Sequence, residues 1–406
     1  KLLEYEPIRD YVEDPITGKE IMKFSFAPTR HENRPLPATL KTIVFEESSQ
    51  VALSLFKEVL SALDHHIQMI FLGDIQQLAP VFGPAILGFK MLELPCVELT
   101  EVYRQALDSP IIKLAHRIIS GVPITASEYP EWKVPGKLTM HPWKKKIDSD
   151  VALQQTALFL KQSYLANVYN PEADIILSPY GKAFGADEIN KHVANMIAKR
   201  WNKEVFEILA GFEKLYLSVD DRVLVDREQG IIKEIKPNPT YLGKTPKRSS
   251  TTLDYWGFDP AGNAINKALY NEDECDVDKI FAAMEDKSER VNQASHIISI
   301  YLPDTERTVH LKTSAELNGL LLAYALTVFK SQGSEWRKVF FILHQSQATM
   351  IQRELLYTGV TRAREELYVI CEPETFTNGI RSQRIKGNTL AEKAEFFKGK
   401  FKSGEY

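Results

Sequence analysis

Glu46-Glu47 and the segment Asp74-Ile75-Gln76-Gln77 each follow the abrupt end of an apolar run, Ile43-Val44-Phe45 in the first case and Met69-Ile70-Phe71-Leu72 in the second. Paired acids can hold a divalent cation and orient a water, and an amide beside them can read a phosphate group. A strand of a parallel sheet delivers such groups to its carboxyl end, where these sheets bind ligands. Ordinary readings stand beside these. A strand ending in Gly-Asp is a common strand-to-turn boundary, and acids at a helix start are stabilising by themselves.

Three further segments carry chemistry-bearing residues. Leu99-Thr100-Glu101-Val102-Tyr103-Arg104-Gln105 and Tyr357-Thr358-Gly359-Val360-Thr361-Arg362-Ala363-Arg364 each present an arginine, whose guanidinium is always charged and forks onto phosphate oxygens. Thr327-Val328-Phe329-Lys330-Ser331-Gln332-Gly333-Ser334-Glu335 mixes hydroxyl, amide, basic and acidic groups. The alternative for each arginine is a salt bridge on a helix surface.

Taken in order, these five segments resemble superfamily 1 helicases, most closely the RecD/Dda-like branch. The resemblance spans nearly the whole chain. It implies an α/β fold of two RecA-like parallel-sheet domains, with a projecting β-hairpin and an inserted small β-barrel. It implies ATP as substrate, Mg2+ as its ion, and single-stranded DNA and single/double-strand junctions as partners, with replication or recombination proteins as further candidates. The implied activity is an ATP-dependent DNA helicase moving 5′ to 3′. Residue by residue, Glu46 would meet the magnesium and Glu47 would orient the attacking water. Gln77 would sense the γ-phosphate. Arg104 and Arg362 would reach the phosphates from the second domain. Asp74, Gly333 and Glu335 are implied on the nucleotide side. Thr327, Lys330, Ser331, Gln332 and Tyr180 are implied on the DNA side. The chain departs from the family pattern twice: Glu46 stands where the family has aspartate, and Phe329 where it usually has histidine.

A motor of this class needs a phosphate-binding loop, G-x-x-x-x-G-K-[ST]. Gly18-Lys19 lacks the first glycine and the hydroxyl residue, and Gly243-Lys244-Thr245 has Asn238 at the first glycine position. The second also follows the acidic strand in chain order, against the family arrangement. Pro15-Ile16-Thr17-Gly18-Lys19 reads better as a turn between strands. The loop is therefore expected upstream of Lys1.

The elements that position these groups follow from periodicity. Residues 2–28 alternate around that turn and predict a long β-hairpin, which in the resembling family splits the duplex and otherwise is a plain surface ribbon. Residues 40–92 predict strand, helix (51–63), strand, loop and helix, the rest of a first RecA-like domain. Residues 93–215 open a second one, with helices at 110–119, 151–164 and 186–201 and a strand over 174–180. Residues 216–318 predict an inserted SH3-like barrel with strands over 219–225, 296–302 and 308–311. Residues 319–406 complete the second RecA-like domain, with strands over 320–326, 339–343 and 366–370. A basic and aromatic stretch carrying Tyr241, Lys244, Lys247, Arg248, Tyr255 and Trp256 is either a nucleic-acid track or a solvated loop. Lys144-Lys145-Lys146 beside Trp143 reads as a solvated loop.

Composition agrees with this without supplying it. A chain of 406 residues, 44% hydrophobic and 26% charged, can build more than one core. The net charge of −4 excludes a uniformly basic nucleic-acid coat but leaves room for a local basic channel. Cys96, Cys275 and Cys371 lie far apart, so neither zinc nor a disulfide framework is indicated. A reducing, cytoplasmic setting is the matching expectation, and no apolar run is long enough for a membrane span. Two other readings remain open from sequence: a non-catalytic DNA-binding or assembly subunit that kept the fold and lost the motor, and an RNA-directed member of the superfamily.

Overall fold

In the computed structural model, residues 2–13, 20–80, 94–99, 108–143, 148–181, 184–210, 213–225, 228–241, 293–317 and 319–403 are described. Packing divides the chain into one unit built from residues 1–147 and 331–406 and a second built from residues 148–330.

The first unit begins with the hairpin expected from alternation. Strands β1 (Tyr5–Glu13) and β2 (Glu20–Pro28) pair antiparallel from Tyr5↔Pro28 to Glu13↔Glu20. The connecting turn, with Gly18, lies outside the described residues. The base of the ribbon is fixed by Thr29 N–H donating to the Leu3 carbonyl at 3.1 Å and by an Arg30–Glu4 ion pair at 2.8 Å. Tyr5 also hydrogen-bonds Glu58 of the following helix, α1 (Leu53–Ser61).

Strands β3 (Thr42–Phe45) and β4 (Gln68–Phe71) flank α1 in sequence and pair in parallel, Phe45 beside Phe71. Those two rings stack at 5.0 Å, and Phe56 of α1 meets both edge-on at 5.7 Å. This aromatic cluster and the small core of Leu3, Leu36, Ile43, Val59 and Ala62 fix the register of the strand ends. Helix α2 (Pro110–Ile119) runs over the residues its periodicity predicts, burying Ile111, Leu114 and Ile118 on one face. Strand β5 (Leu138–Pro142) has no expectation behind it, because its alternation is short and ends in His-Pro.

The second unit opens with helix α3 (Ser149–Leu165), capped by the Asp148 carboxylate on Asp150 N–H. Strand β6 (Ile175–Ser178) is buried throughout, and helix α4 (Ala186–Trp201) follows it. Strands β7 (Phe206–Ala210) and β8 (Glu213–Leu217) form a second hairpin. Then come β9 (Arg222–Val225), β10 (Glu228–Pro237), β11 (Gln293–Leu302) and β12 (Arg307–Thr313), each antiparallel to the next. A one-turn helix, α5 (Ser314–Leu317), leads to β13 (Leu321–Leu322) and β14 (Ala325–Thr327). Ile208, Leu217, Val223, Ile232, Ile235, Ile298 and Ile300 share one buried core beneath the antiparallel strands.

The apolar run at 320–326, expected as one strand, is two. Leu321–Leu322 joins the antiparallel sheet beside β9, whereas Ala325–Thr327 lies parallel to β6. Asn190 of α4 holds the switch point. Its amide donates to Leu322 O (2.8 Å) and Ala325 O (2.9 Å), and its oxygen accepts from Ala325 N–H (2.7 Å). The backbone groups released where one strand stops are thereby satisfied without water. Strand β10 had no expectation either: a bulge between Ile232 and Glu234 sets the core residues Ile232 and Ile235 three apart, which defeats a test for alternation.

The chain returns to the first unit with β15 (Trp336–Ile342), α6 (Arg353–Val360), β16 (Ala363–Cys371), α7 (Pro373–Arg381) and α8 (Leu390–Ser403). Here β15, β16 and β5 run parallel, Phe341 beside Val369 and Val369 beside Met140. Gly359 of α6 lies flat on Phe341; a Cβ there would fall 2.6 Å from the ring. That contact explains the glycine between Thr358 and the arginine segment. Among the described residues, no helix is long and apolar enough to cross a membrane.

Candidate functional site

The parallel pairing of β3 with β4 brings two chain segments out of adjacent strand ends, Glu46-Glu47 from one and Gly73-Asp74 from the other. Ser48 fastens them, donating to the Leu72 carbonyl through both its N–H (2.8 Å) and its hydroxyl (2.7 Å). Glu46 is exposed. Glu47 is half-buried and sits at φ 49°, in the left-handed region that non-glycine residues rarely adopt. Such strain persists where the surroundings impose it. Gln50 Nε2 donates to Glu47 Oε2 at 3.3 Å.

Asp74 organises the next segment. Its Oδ1 accepts from Gln76 N–H at 2.8 Å, and its Oδ2 accepts from the Tyr357 hydroxyl at 2.8 Å. Gln77 Nε2 lies 3.5 Å from the same Oδ2, at the limit of a hydrogen bond. Gln77 Oε1 is buried and meets no donor among the described residues. A buried amide held by its nitrogen, with its oxygen left open, is equipped to accept a hydrogen bond from a bound water or hydroxyl. Burial and the Asp74 charge push the Tyr357 hydroxyl well above the ordinary tyrosine range, so it stays protonated and remains a donor.

Helix α6 fixes the segment further. Leu78 N–H donates to Thr358 Oγ1 at 3.1 Å. Gln332 Nε2 approaches Leu78 O at 3.4 Å. Directly after α6, Arg362 is 5% exposed and donates to the carbonyls of Thr358 (3.1 Å) and Ser334 (3.1 Å) and to Thr361 Oγ1 (3.3 Å). No carboxylate lies within ion-pair distance of it among the described residues. A guanidinium held by carbonyl dipoles keeps its net charge available to an anion. The alternative reading, a surface salt bridge, is therefore not seen for Arg362 among the described residues. The loop that receives it turns at Gly333, φ 76°, beside the exposed Glu335.

Arg104 lies outside the described residues, as do Gly243-Lys244-Thr245, Lys144-Lys145-Lys146 and the stretch from Lys244 to Trp256. Ser331 is fully buried, and its carbonyl accepts from Ser334 N–H at 3.1 Å. In the second unit, Tyr180 and Thr327 leave the carboxyl ends of the parallel strands β6 and β14. Val328 N–H donates to Ser178 O (3.0 Å), and Thr327 Oγ1 accepts from Lys330 N–H (3.2 Å). Tyr180 is 43% exposed, and Lys330 is exposed. Here an aromatic face and a cation sit at one sheet edge, a pairing suited to stacking a base and countering a phosphate.

Sequence reasoning assigned nothing to Tyr357, Thr358, Asn388 or Lys393. The first two lie inside a quoted segment, and only their contacts with residues 74–78 reveal them. The Lys-, Phe- and Gly-rich tail gave no signal for Lys393, which the structure buries at 1% exposure.

Among described residues, no cluster of metal-ligating side chains holds a cation unaided. Glu46 and Glu47 nonetheless fit magnesium, which keeps most of its waters and takes one or two carboxylates together with substrate phosphates.

A family model described as the UvrD-like helicase C-terminal domain matches residues 322–370. The ATP-dependent RecD2 DNA helicase of Deinococcus radiodurans is 26% identical over 369 residues, covering 89% of this chain and 40% of that protein. The RecBCD enzyme subunit RecD of Buchnera aphidicola subsp. Acyrthosiphon pisum is 23% identical over 359 residues, covering 84% of this chain and 55% of that protein. The chain thus spans about half the length of these curated relatives. The Pif1 helicase of Candida albicans aligns over 88% of this chain and 76% of its own, with a TM-score of 0.46 and 15% identity. Over most of its length the chain is thus similar in sequence to RecD-like superfamily 1 helicases.

Proposed function

We propose that this chain is the greater part of the motor of an ATP-dependent DNA helicase. It translocates 5′ to 3′ on single-stranded DNA and opens the duplex at single/double-strand junctions, in a cytoplasmic setting alongside replication or recombination proteins. The observation that carries this reading is Gln77: its amide nitrogen is aligned by Asp74, and its oxygen is buried and open. The match to an ATP-dependent DNA helicase over most of the chain supports it.

The site residues divide the work. ATP supplies the phosphoryl group; Glu46 would hold Mg2+, which would supply positive charge against the phosphates. Glu47 accepts a proton-bearing edge of the attacking water and orients it. Gln77 Oε1 accepts a second hydrogen bond from that water and so reports whether the γ-phosphate is in place. Arg362 brings a guanidinium held by carbonyls, with no carboxylate partner among the described residues, to the charge that develops on the transferring group, with Arg104 proposed as its counterpart. Gly333 sets the turn that places Glu335 beside the nucleotide. Tyr180, Thr327 and Lys330 grip the DNA strand. Ser331 and Gln332, from the same motif, would couple that grip to the state of the nucleotide.

The single-strand track is sequence-independent and weakens as salt rises, because phosphate contacts dominate it. The residue ranges 1–92, 93–215, 216–318 and 319–406 stay our proposed evolutionary parts: first RecA-like domain, second RecA-like domain, SH3-like insert and completion of the second. The test is unwinding of a forked duplex with a 5′ single-stranded tail by the full-length protein with ATP. ATP-dependent strand separation is expected. Binding of the fork with no separation and no hydrolysis would instead favour the assembly subunit that lost its motor.

A further inference from the structure

The loop of residues 74–78 is fastened along its length. Asp74 is held by Tyr357, and Leu78 by Thr358. Gln76 Nε2 donates to the Asn388 carbonyl at 2.8 Å. Lys393 Nζ donates to the Ile75 carbonyl at 2.6 Å. Within this loop, Gln77 Oε1 is the buried side-chain polar atom that has no partner among the described residues.

Two of these anchors come from the carboxyl-terminal segment. Asn388 is itself positioned by Arg353 Nη1 donating to its Oδ1 (2.9 Å) and by its own N–H donating to Glu392 Oε2 (2.7 Å). Glu392 N–H in turn donates to Thr389 Oγ1 at 3.2 Å, closing a capping box at the start of α8. Lys393 lies one residue into the helix from Glu392 and is 1% exposed. Lysine is almost never so buried, and an apolar side chain of similar length would fill the space without desolvating a charge. No carboxylate pairs with it within ion-pair distance among the described residues. Its ammonium is spent on one backbone carbonyl, two residues before Gln77.

We propose that α8 is a clamp on the glutamine-bearing loop and that Lys393 is a positioning residue for Gln77. The clamp fixes the backbone on one side of Gln77 while α6 fixes the other, so the amide swings about a held frame. Because α8 and the loop are joined through Lys393 and Asn388, a partner or strand that displaces α8 would also move Gln77. This inference rests on the reading of Gln77 as the residue that senses the γ-phosphate.

Two measurements on the full-length protein separate the clamp from that reading. The first is hydrogen exchange at the amides of residues 75–78. Lys393→Met should raise their exchange at least tenfold, with exchange in β15 and β16 unchanged. The second is steady-state ATP hydrolysis with single-stranded DNA. Lys393→Met should lower kcat about tenfold with KM for ATP within twofold of wild type, and Gln76→Ala should move kcat in the same direction by a smaller factor. A purely structural lysine would instead lower the melting temperature and leave kcat per folded molecule unchanged, which would overturn the proposal. Unchanged exchange in Lys393→Met would also overturn it. A wild-type protein with no DNA-stimulated hydrolysis, alongside raised exchange in the variant, would leave the clamp standing and remove the role given to Gln77. Should Lys393→Met fail to fold, Gln76→Ala carries both measurements, and wild-type values for it would count against the clamp.

Discussion

Tyr357 donates its hydroxyl proton to Asp74 Oδ2 across 2.8 Å, joining residues 283 positions apart in the chain. One partner follows the strand that ends in Gly-Asp; the other sits on the helix that delivers Arg362. The amide that would sense a phosphate and the arginine that would neutralise it therefore share one hydrogen-bonded frame. Arg362 and Gln77 are connected through α6, Tyr357 and Asp74 by hydrogen bonds alone.

This frame sets the expected behaviour of Glu47. Glu47→Gln keeps the size of the side chain and its contact with Gln50, so the strand end should hold. ATP binding should persist while DNA-stimulated hydrolysis falls about a hundredfold or more, since a positioned base or water holder typically contributes that much. Nucleotide binding by fluorescence and turnover by phosphate release check the two halves separately, and turnover near wild type would take Glu47 out of the mechanism.

Arg362 gives a sharper prediction, because no carboxylate pairs with its charge among the described residues. Arg362→Lys retains a charge but loses the fork between Thr358 O and Ser334 O, and it should slow hydrolysis about as severely as Arg362→Ala, on the order of a thousandfold. Combining Arg362→Ala with Arg104→Ala should cost far less than the product of the single effects, as both act on one transition state. Circular dichroism decides whether either variant has merely unfolded.

Much of this was legible in the sequence, and the reasons for the rest are physical. Helices α2 and α4 occupy the residues their apolar periodicity marks, because each packs a single face on a core and periodicity reports that face. Strands β3, β4, β6 and β16 were visible as apolar runs that end in turns. The division of 320–326 was not, since both halves are equally apolar and the break is made by Asn190, more than a hundred residues earlier. Strand β10 was hidden by its bulge. At the candidate site, Glu46, Glu47, Asp74, Gln77 and Arg362 were named from motif order, but Tyr357 and Lys393 act through contacts that no local pattern encodes.

Asn190 tests the strand switch directly. Asn190→Leu keeps the branching of the side chain and removes the partner of the Leu322 carbonyl and of the Ala325 N–H and carbonyl. The loss should be about 3 kcal/mol, given roughly 1–3 kcal/mol for each buried group left unpaired. Urea unfolding monitored by tryptophan fluorescence measures it; a change below about 1 kcal/mol would mean that the backbone there finds other partners.

Lys393 makes a prediction about pH. Burial holds its pKa below the ordinary lysine value, against the opposing pull of Glu354 and Asp74. The unfolded lysine keeps its proton up to about pH 10.4, whereas the folded one releases it earlier. Between those two values the unfolded state binds more protons, so this residue's contribution to stability rises with pH and falls back as pH drops through the folded value. The stability of wild type relative to Lys393→Met should therefore climb as pH rises from neutral toward 10. A flat difference would show that the folded lysine titrates like a solvated one.

The β1–β2 ribbon separates walking from unwinding. Replacing residues 10–21 with a short Gly-Ser turn should spare DNA-stimulated hydrolysis and translocation. Duplex unwinding should fall at least about tenfold, equivalent to roughly 1.4 kcal/mol on the barrier. Unchanged unwinding would make the ribbon a scaffold.

In a DNA-driven motor, Gln77 would read the nucleotide. Steady-state ATP hydrolysis by the full-length protein, with and without single-stranded DNA, tests this when wild type is set beside Gln77→Ala. Wild type should be stimulated by DNA about tenfold or more, and Gln77→Ala should lose about a hundredfold in kcat while binding ATP normally. A wild-type protein indifferent to DNA, or a Gln77→Ala variant that turns over at the wild-type rate, would contradict it.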